Sequence, residues 1–308
     1  MKKRVLCGFT GMMLLFGAVS VTAVLAMDLE PRQWSHLPLG MNFAGAGYAY
    51  TTADIYFDPV MNVEDAKLEM HTAALKYIRT FGLFGTSGRV DVTQAYQDGT
   101  WTGLLNGAPT SISRSGWTDT FVRVAANIYG APPLAGKEFA AYRQKTDTET
   151  IVGTGLAVRL PTGEYMPDKL INLGQNQYVF RPQLGVMHTH KKWTTELTGE
   201  VSIATVNNEF YNGKTLKQEP LYIIHAHLAR TFRPGLWAGV SVGYDYGGES
   251  SVNGIRKDNK SQDIAWACSF AYPLNRQVGI KTAYIGTRTQ ESVGFDSDTF
   301  TTGISVAW

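Results

Sequence analysis

His225 and His227 stand two positions apart, so on an extended strand their rings share a face, and Glu196 and Glu200 share a face of the segment before it. Two imidazoles and two carboxylates on neighbouring strands could ligate a metal ion. They could also hydrogen-bond one another inside a lumen, and that is the expectation, with no metal and no cofactor. Lys76, Arg89, Asp91, Arg123, Arg181 and Gln183 project from the same kind of face. Mixed charges aimed into one space can rank solutes, as pore linings do. They can equally pair off to fill a space that would otherwise hold unsatisfied polar groups. Both readings stand for each of these ten candidate lumen-lining residues.

Other chemistry finds little support. A serine hydrolase needs its serine beside a histidine and an orienting partner. The chain has no Gly-x-Ser-x-Gly, and no histidine is followed by the Ser-Asn-Gly cluster of barrel-embedded phospholipases. It reads as a non-enzyme. Pro161-Thr-Gly163 and Gly174-Gln-Asn176 read as loop turns rather than phosphate cradles. His188, His190, Lys191 and Lys192 flank a turn and read as solvated.

The elements that must position these residues show a period of two. Phe300, Thr302, Ile304, Val306 and Trp308 fall on one face of the last segment, and Thr299, Thr301, Gly303, Ser305 and Ala307 fall on the other. Ile264, Trp266, Cys268, Phe270 and Tyr272 likewise oppose Ala265, Ala267, Ser269 and Ala271. Large apolar residues alternating with small or polar ones over about ten positions is the lipid-out, lumen-in pattern of a transmembrane barrel strand. Strands are expected near residues 42–51, 68–80, 87–97, 117–129, 149–160, 177–189, 193–206, 219–231, 236–247, 262–273, 278–288 and 298–308. The fold class is therefore all-β, an antiparallel transmembrane β-barrel of about 12 strands.

Connection lengths alternate in agreement with that reading. Short turns are expected at 81–86, 190–192, 232–235 and 274–277, with long loops at 52–67, 98–116, 161–176, 207–218, 248–261 and 289–297. Short turns belong to the periplasmic end and long loops to the outside, which puts both termini in the periplasm. Residues 130–148 break the rule. Their Gly136-Lys-Glu-Phe-Ala-Ala-Tyr-Arg-Gln144 run reads as a short helix at the rim, with an unsplit strand pair as the alternative. Charged inward positions concentrate in the first two thirds, and the last third with the 149–160 strand is mostly Gly, Ala, Ser and Thr. A lumen with one charged wall and one open wall follows.

Residues 1–26 carry Lys2, Lys3 and Arg4, then an apolar run, then Val24-Leu-Ala26, the order of a cleavable export signal. Residues 27–308 would form the barrel. That part holds one cysteine, Cys268, so no internal disulfide is expected. A net charge of +2 with 18% charged residues gives no reason to expect a nucleic-acid partner. Tyr48, Tyr50, Trp101, Trp117, Tyr129, Trp193, Trp237, Tyr272, Tyr284 and Trp308 are read as interfacial girdles.

Several stretches carry a family resemblance: Leu37-Pro-Leu-Gly40, Gly116-Trp-Thr-Asp-Thr120, Pro161-Thr-Gly-Glu-Tyr165, Ile171-Asn-Leu-Gly-Gln-Asn176, Gly248-Glu-Ser-Ser-Val-Asn-Gly254 and the terminal strand. With these the chain resembles the meta-pathway phenol-degradation family of outer-membrane transporters over nearly its whole length past the signal. The resemblance implies a barrel in the bacterial outer membrane that admits small hydrophobic or aromatic molecules, with no established binding residues to carry over. Phe300 and Trp308 look like the terminal signal by which barrel-assembly machinery recognises its substrates. The expected partners are thus outer-membrane lipid, that machinery and a small-molecule solute. Passive transport is the first functional expectation. A closed structural or adhesive barrel acting through its outer loops, plugged by residues 98–116 or by bulky inward side chains, is the second.

Overall fold

The computed structural model describes residues 29–57 and 63–308; the expected signal segment lies outside the described residues. In chain order the strands are β1 (Asn42–Tyr56), β2 (Val63–Leu83), β3 (Thr86–Leu105), β4 (Ala108–Trp117), β5 (Thr120–Tyr129), β6 (Thr148–Leu160), β7 (Val179–His190) and β8 (Trp193–Ala204). They continue with β9 (Asn207–Phe210), β10 (Lys214–Gln218), β11 (Leu221–Arg233), β12 (Leu236–Gly247), β13 (Ser250–Val252), β14 (Ile255–Arg256), β15 (Ser261–Pro273), β16 (Val278–Thr289) and β17 (Gly294–Ala307). A single helix among the described residues, α1 (Gly136–Lys145), lies between β5 and β6.

Twelve of these strands close into an antiparallel barrel in which sequence neighbours pair throughout: β1, β2, β3, β5, β6, β7, β8, β11, β12, β15, β16 and β17. The seam joins β17 to β1 from Phe43↔Ala307 to Tyr56↔Gly294. Beyond it the Asn42 amide donates to the Trp308 carbonyl at 2.9 Å and the Trp308 amide to Asn42 at 3.0 Å. Closure leaves no unpaired edge, the condition for a β-structure in lipid. The faces sort as the alternation requires: Leu184 and Val186 of β7 are 58% and 43% exposed, while Arg181 and Gln183 on the opposite face are 5% and 6% exposed.

Turn chemistry sets the registers. Phe84 (φ 48°) and Gly85 (φ 78°) make the two-residue turn from β2 to β3, and both need the left-handed region that a type I′ hairpin uses. The turns at Lys191-Lys192 and Pro234-Gly235 share this end of the barrel, as do the 274–277 turn and α1.

Five expectations are corrected at the other end. Residues 98–116 are not a loop. β3 runs on to Leu105, turns at Asn106 (φ 51°) and Gly107 (φ 76°), and returns as β4, because Thr, Ser and Ile alternate along this hairpin and Asn-Gly supplies its turn. The 207–218 and 248–261 loops carry β9, β10, β13 and β14, which pair into a separate four-stranded sheet. The 289–297 connection is shorter than expected, since β17 begins at Gly294. The 52–67 loop is shortened too, because β1 runs to Tyr56 and β2 starts at Val63; residues 58–62 lie outside the described residues.

Two girdle aromatics are also corrected. Trp237 is 1% exposed and Trp101 is partly buried, and both point into the barrel, because each shares the parity of an inward row. Residues 136–145 form the expected helix rather than a strand pair.

Candidate functional site: a plugged lumen and its outer vestibule

Residues 29–41 precede the first strand and enter the barrel, where they make a plug that the sequence reading did not anticipate. Glu30 reaches Lys281 of β16 at 2.9 Å and Lys76 of β2 at 3.3 Å, spanning the β17–β1 seam that lies between those strands. Both ammonium groups are largely out of water, so the carboxylate between them offsets two desolvation costs. Arg32 donates to Thr231 of β11 and lies 5.3 Å over the Trp237 ring. The Gln33 amide donates to Glu196 Oε1 at 3.1 Å.

Trp34 is the plug's anchor. It is 1% exposed, its Nε1 donates to Thr198 Oγ1 at 2.9 Å, and the Arg123 guanidinium sits 4.7 Å from its ring centroid. Gly153 of β6 and Gly185 of β7 form the socket. A Cβ at Gly153 would lie 2.0 Å from Trp34 Cε3, and one at Gly185 would lie 1.9 Å from its Nε1. The small residues of this wall therefore leave room for an indole rather than for solvent.

His36 lies between Glu149 (3.1 Å) and the Pro132 carbonyl (2.8 Å), with the Phe139 and Tyr142 rings of α1 at 4.9 and 5.2 Å. Arg143 of the same helix pairs with Glu149 at 2.7 Å. The helix thus closes the short-turn end beneath the plug. Leu29 packs with Ile223, Ala265, Ala267 and Ile285, and Leu37 packs with Phe43 and Ile78.

All ten sequence-named candidates face the lumen, and six of them form one chain of contacts. Arg89 and Arg123 both pair with Asp91, at 3.3 and 3.2 Å. Arg123 Nε donates to Gln183 at 2.7 Å, Gln183 donates to Glu200 at 2.6 Å, and Arg181 pairs with Glu200. Lys76 and Glu196 hold the plug. His225 and His227 are 2.8 Å apart between ring nitrogens, and His227 Nδ1 is 2.7 Å from Ser241 Oγ. Among the described residues no group of three or more side chains could hold a metal ion.

Above the plug, toward the long loops, the described residues line two chambers. The first, about 290 Å³, is lined by Ile55, Leu68, Met70, Trp101 and Leu173, with Thr51, Gln97 and Ser297 among its polar neighbours. The second, about 260 Å³, carries Arg181, Glu219, Asp245, Asp263 and Thr287. Arg159, Gln175 and Phe295 belong to both and form the boundary. Between the plug and the β3–β5 wall lies a gap of about 10 Å³, beside Gln33 and Arg89.

The loop that supplies Gln175 is folded inward by three of the family-like stretches acting together. Asp119 Oδ1 accepts from the Gly163 amide and Oδ2 from the Gln175 amide, each at 2.9 Å. A Cβ at Gly163 would lie 2.6 Å from the Asp119 nitrogen, and one at Gly174 would lie 2.8 Å from the Gly163 carbonyl carbon. These stretches tie a loop knot over the mouth. In the small outer sheet Arg256 donates to Glu249, and this charged hydrogen bond holds the Glu249 carboxyl below its ordinary range.

The sequence reading missed Glu30, Arg32, Trp34 and His36, which belong to no periodic segment. It also missed Arg159 and Lys281, although parity with Gly153-x-Gly155-x-Ala157 would have found the first. Asp245, Asp263 and Lys281, all buried, add charged groups to a last third whose inward face is otherwise mostly Gly, Ala, Ser and Thr.

No curated protein matches this chain. Among solved structures it is similar to an outer membrane channel from Pseudomonas putida F1, with 17% identity and a TM-score of 0.73, covering 91% of this chain and 100% of that one. It is also similar to the transport unit of the autotransporter AIDA-I from Escherichia coli, with 8% identity and a TM-score of 0.51, covering 93% and 94%. At such identities the likeness is one of fold. The family described as "Putative MetA-pathway of phenol degradation" matches residues 43–308, from the first strand to the last residue, and the chain belongs to that family.

Proposed function

We propose that this protein is an outer-membrane channel for small organic compounds, aromatic and hydrophobic ones among them, which enter passively from the long-loop side and pass only when the plug yields. The observation that carries this reading is the division of the lumen. A vestibule with apolar and charged chambers faces one end, and a separate segment held by side-chain contacts fills the other. A purely structural barrel has no need of an open vestibule. Residues 1–26 would direct export, and the short-turn end would lie in the periplasm.

The plug and the small outer sheet favour a second reading, a closed barrel that binds partners through its loops. Swelling of vesicles containing the purified protein separates the two. Phenol and benzyl alcohol should permeate faster than sugars of similar size in wild type, and faster still in a variant lacking residues 29–40. Impermeability of both proteins to every solute would reject the channel in favour of the closed barrel.

A further inference from the structure

Arg159 ends the inward row of β6 and stands where the two chambers meet. Among the described residues no carboxylate is within ion-pairing distance of it and no group hydrogen-bonds its guanidinium. The other arginines of the barrel wall that face the lumen are engaged: Arg89 and Arg123 by Asp91, and Arg181 by Glu200. Asp119, which lines the first chamber with Arg159, spends both oxygens on the Gly163 and Gln175 amides. A planar guanidinium held partly out of water, its donors turned to a cavity, is built to take a carboxylate from solution.

The surroundings say which end of such a ligand goes where. On one side of Arg159 lie Ile55, Leu68, Met70 and Trp101, with Phe295 at the boundary, a surface that takes an apolar body. On the other side Asp245 and Asp263 stand opposite each other in register on β12 and β15, both buried, with Ser261 between them. Two buried acids there give an anion no counter-charge at the far wall and leave Arg159 as its stopping point. We infer that the chamber boundary binds an aromatic carboxylate, with the ring in the first chamber and the carboxylate on Arg159. This rests on the reading of the vestibule as a solute path and narrows the solute to an amphipathic anion.

The test is titration calorimetry on the folded protein in detergent micelles, in a low-salt buffer free of carboxylates, with benzoate, benzyl alcohol and benzylammonium as probes. Benzoate should bind at least about tenfold tighter than benzyl alcohol, and benzylammonium weakest. In Arg159→Gln the benzoate-to-alcohol ratio should fall close to one, and in Arg159→Lys it should fall several-fold, because an ammonium cannot grip a carboxylate through two parallel donors. A benzoate affinity no greater than that of benzyl alcohol in wild type overturns the site without any variant. So does an unchanged ratio in whichever variant retains the heat-modifiable mobility of a folded barrel. Vesicle swelling keeps the two readings apart. Benzoate that binds in micelles but does not permeate sinks the solute path, whereas permeation without Arg159-dependent binding sinks the site alone.

Discussion

Replacing Trp34 with alanine tests the plug directly. The indole is 1% exposed, donates one hydrogen bond to Thr198 and lies under the Arg123 guanidinium. Emptying a buried tryptophan site costs about 3–5 kcal/mol. The wall's own ladder of hydrogen bonds does not pass through residue 34, so most of this loss falls on the seated plug rather than on the barrel. At about 1.4 kcal/mol per tenfold, the seated-to-unseated ratio drops by roughly two to nearly four powers of ten. Single-channel recording in planar bilayers should show frequent openings of larger conductance in Trp34→Ala and rare ones in wild type. The same outcome is expected from the wall side with Gly185→Val, whose Cβ would occupy the indole's position. Because both changes empty one contact, the second should add little to the first, a coupling that a double-mutant cycle reads. A folded Trp34→Ala barrel with wild-type conductance, or two strictly additive effects, would refute the reasoning.

Further outcomes follow from other contacts. Glu30→Gln strips Lys281 and Lys76 of their shared carboxylate and should destabilise the protein by about 3–5 kcal/mol, read as a lower temperature for loss of heat-modifiable mobility. Adding Lys281→Met should recover part of that loss. Asp119→Ala removes the acceptor for two backbone amides, and the 161–178 loop should become susceptible to protease from the long-loop side while the barrel persists. Deleting Trp308 should impair membrane insertion, since its backbone closes the seam against Asn42, and normal assembly of the truncated chain would count against the terminal signal.

The barrel is legible in the sequence because each strand's decision is local. With a side-chain period of two, an outward row such as Ile264, Trp266, Cys268, Phe270 and Tyr272 identifies its face without reference to any partner. Turn residues work the same way: Asn106-Gly107 is the two-residue signature of a hairpin where spacing alone suggests a loop. Trp101 and Trp237 depart from the expected girdle for a related reason, since their type suggests an interface while their parity points inward.

The lumen's contents obey no such rule. Residues 29–41 carry no periodicity, and their meaning lies in partners far along the chain. Trp34 meets Thr198 across 164 positions, and Glu30 meets Lys281 across 251. An inward arginine looks the same in sequence whether it holds a neighbour, as Arg123 does, or faces a cavity, as Arg159 does. Only closure of the barrel decides between these fates, because it is closure that brings acids, bases and a tryptophan from opposite ends of the chain into one space too small to leave them all in water.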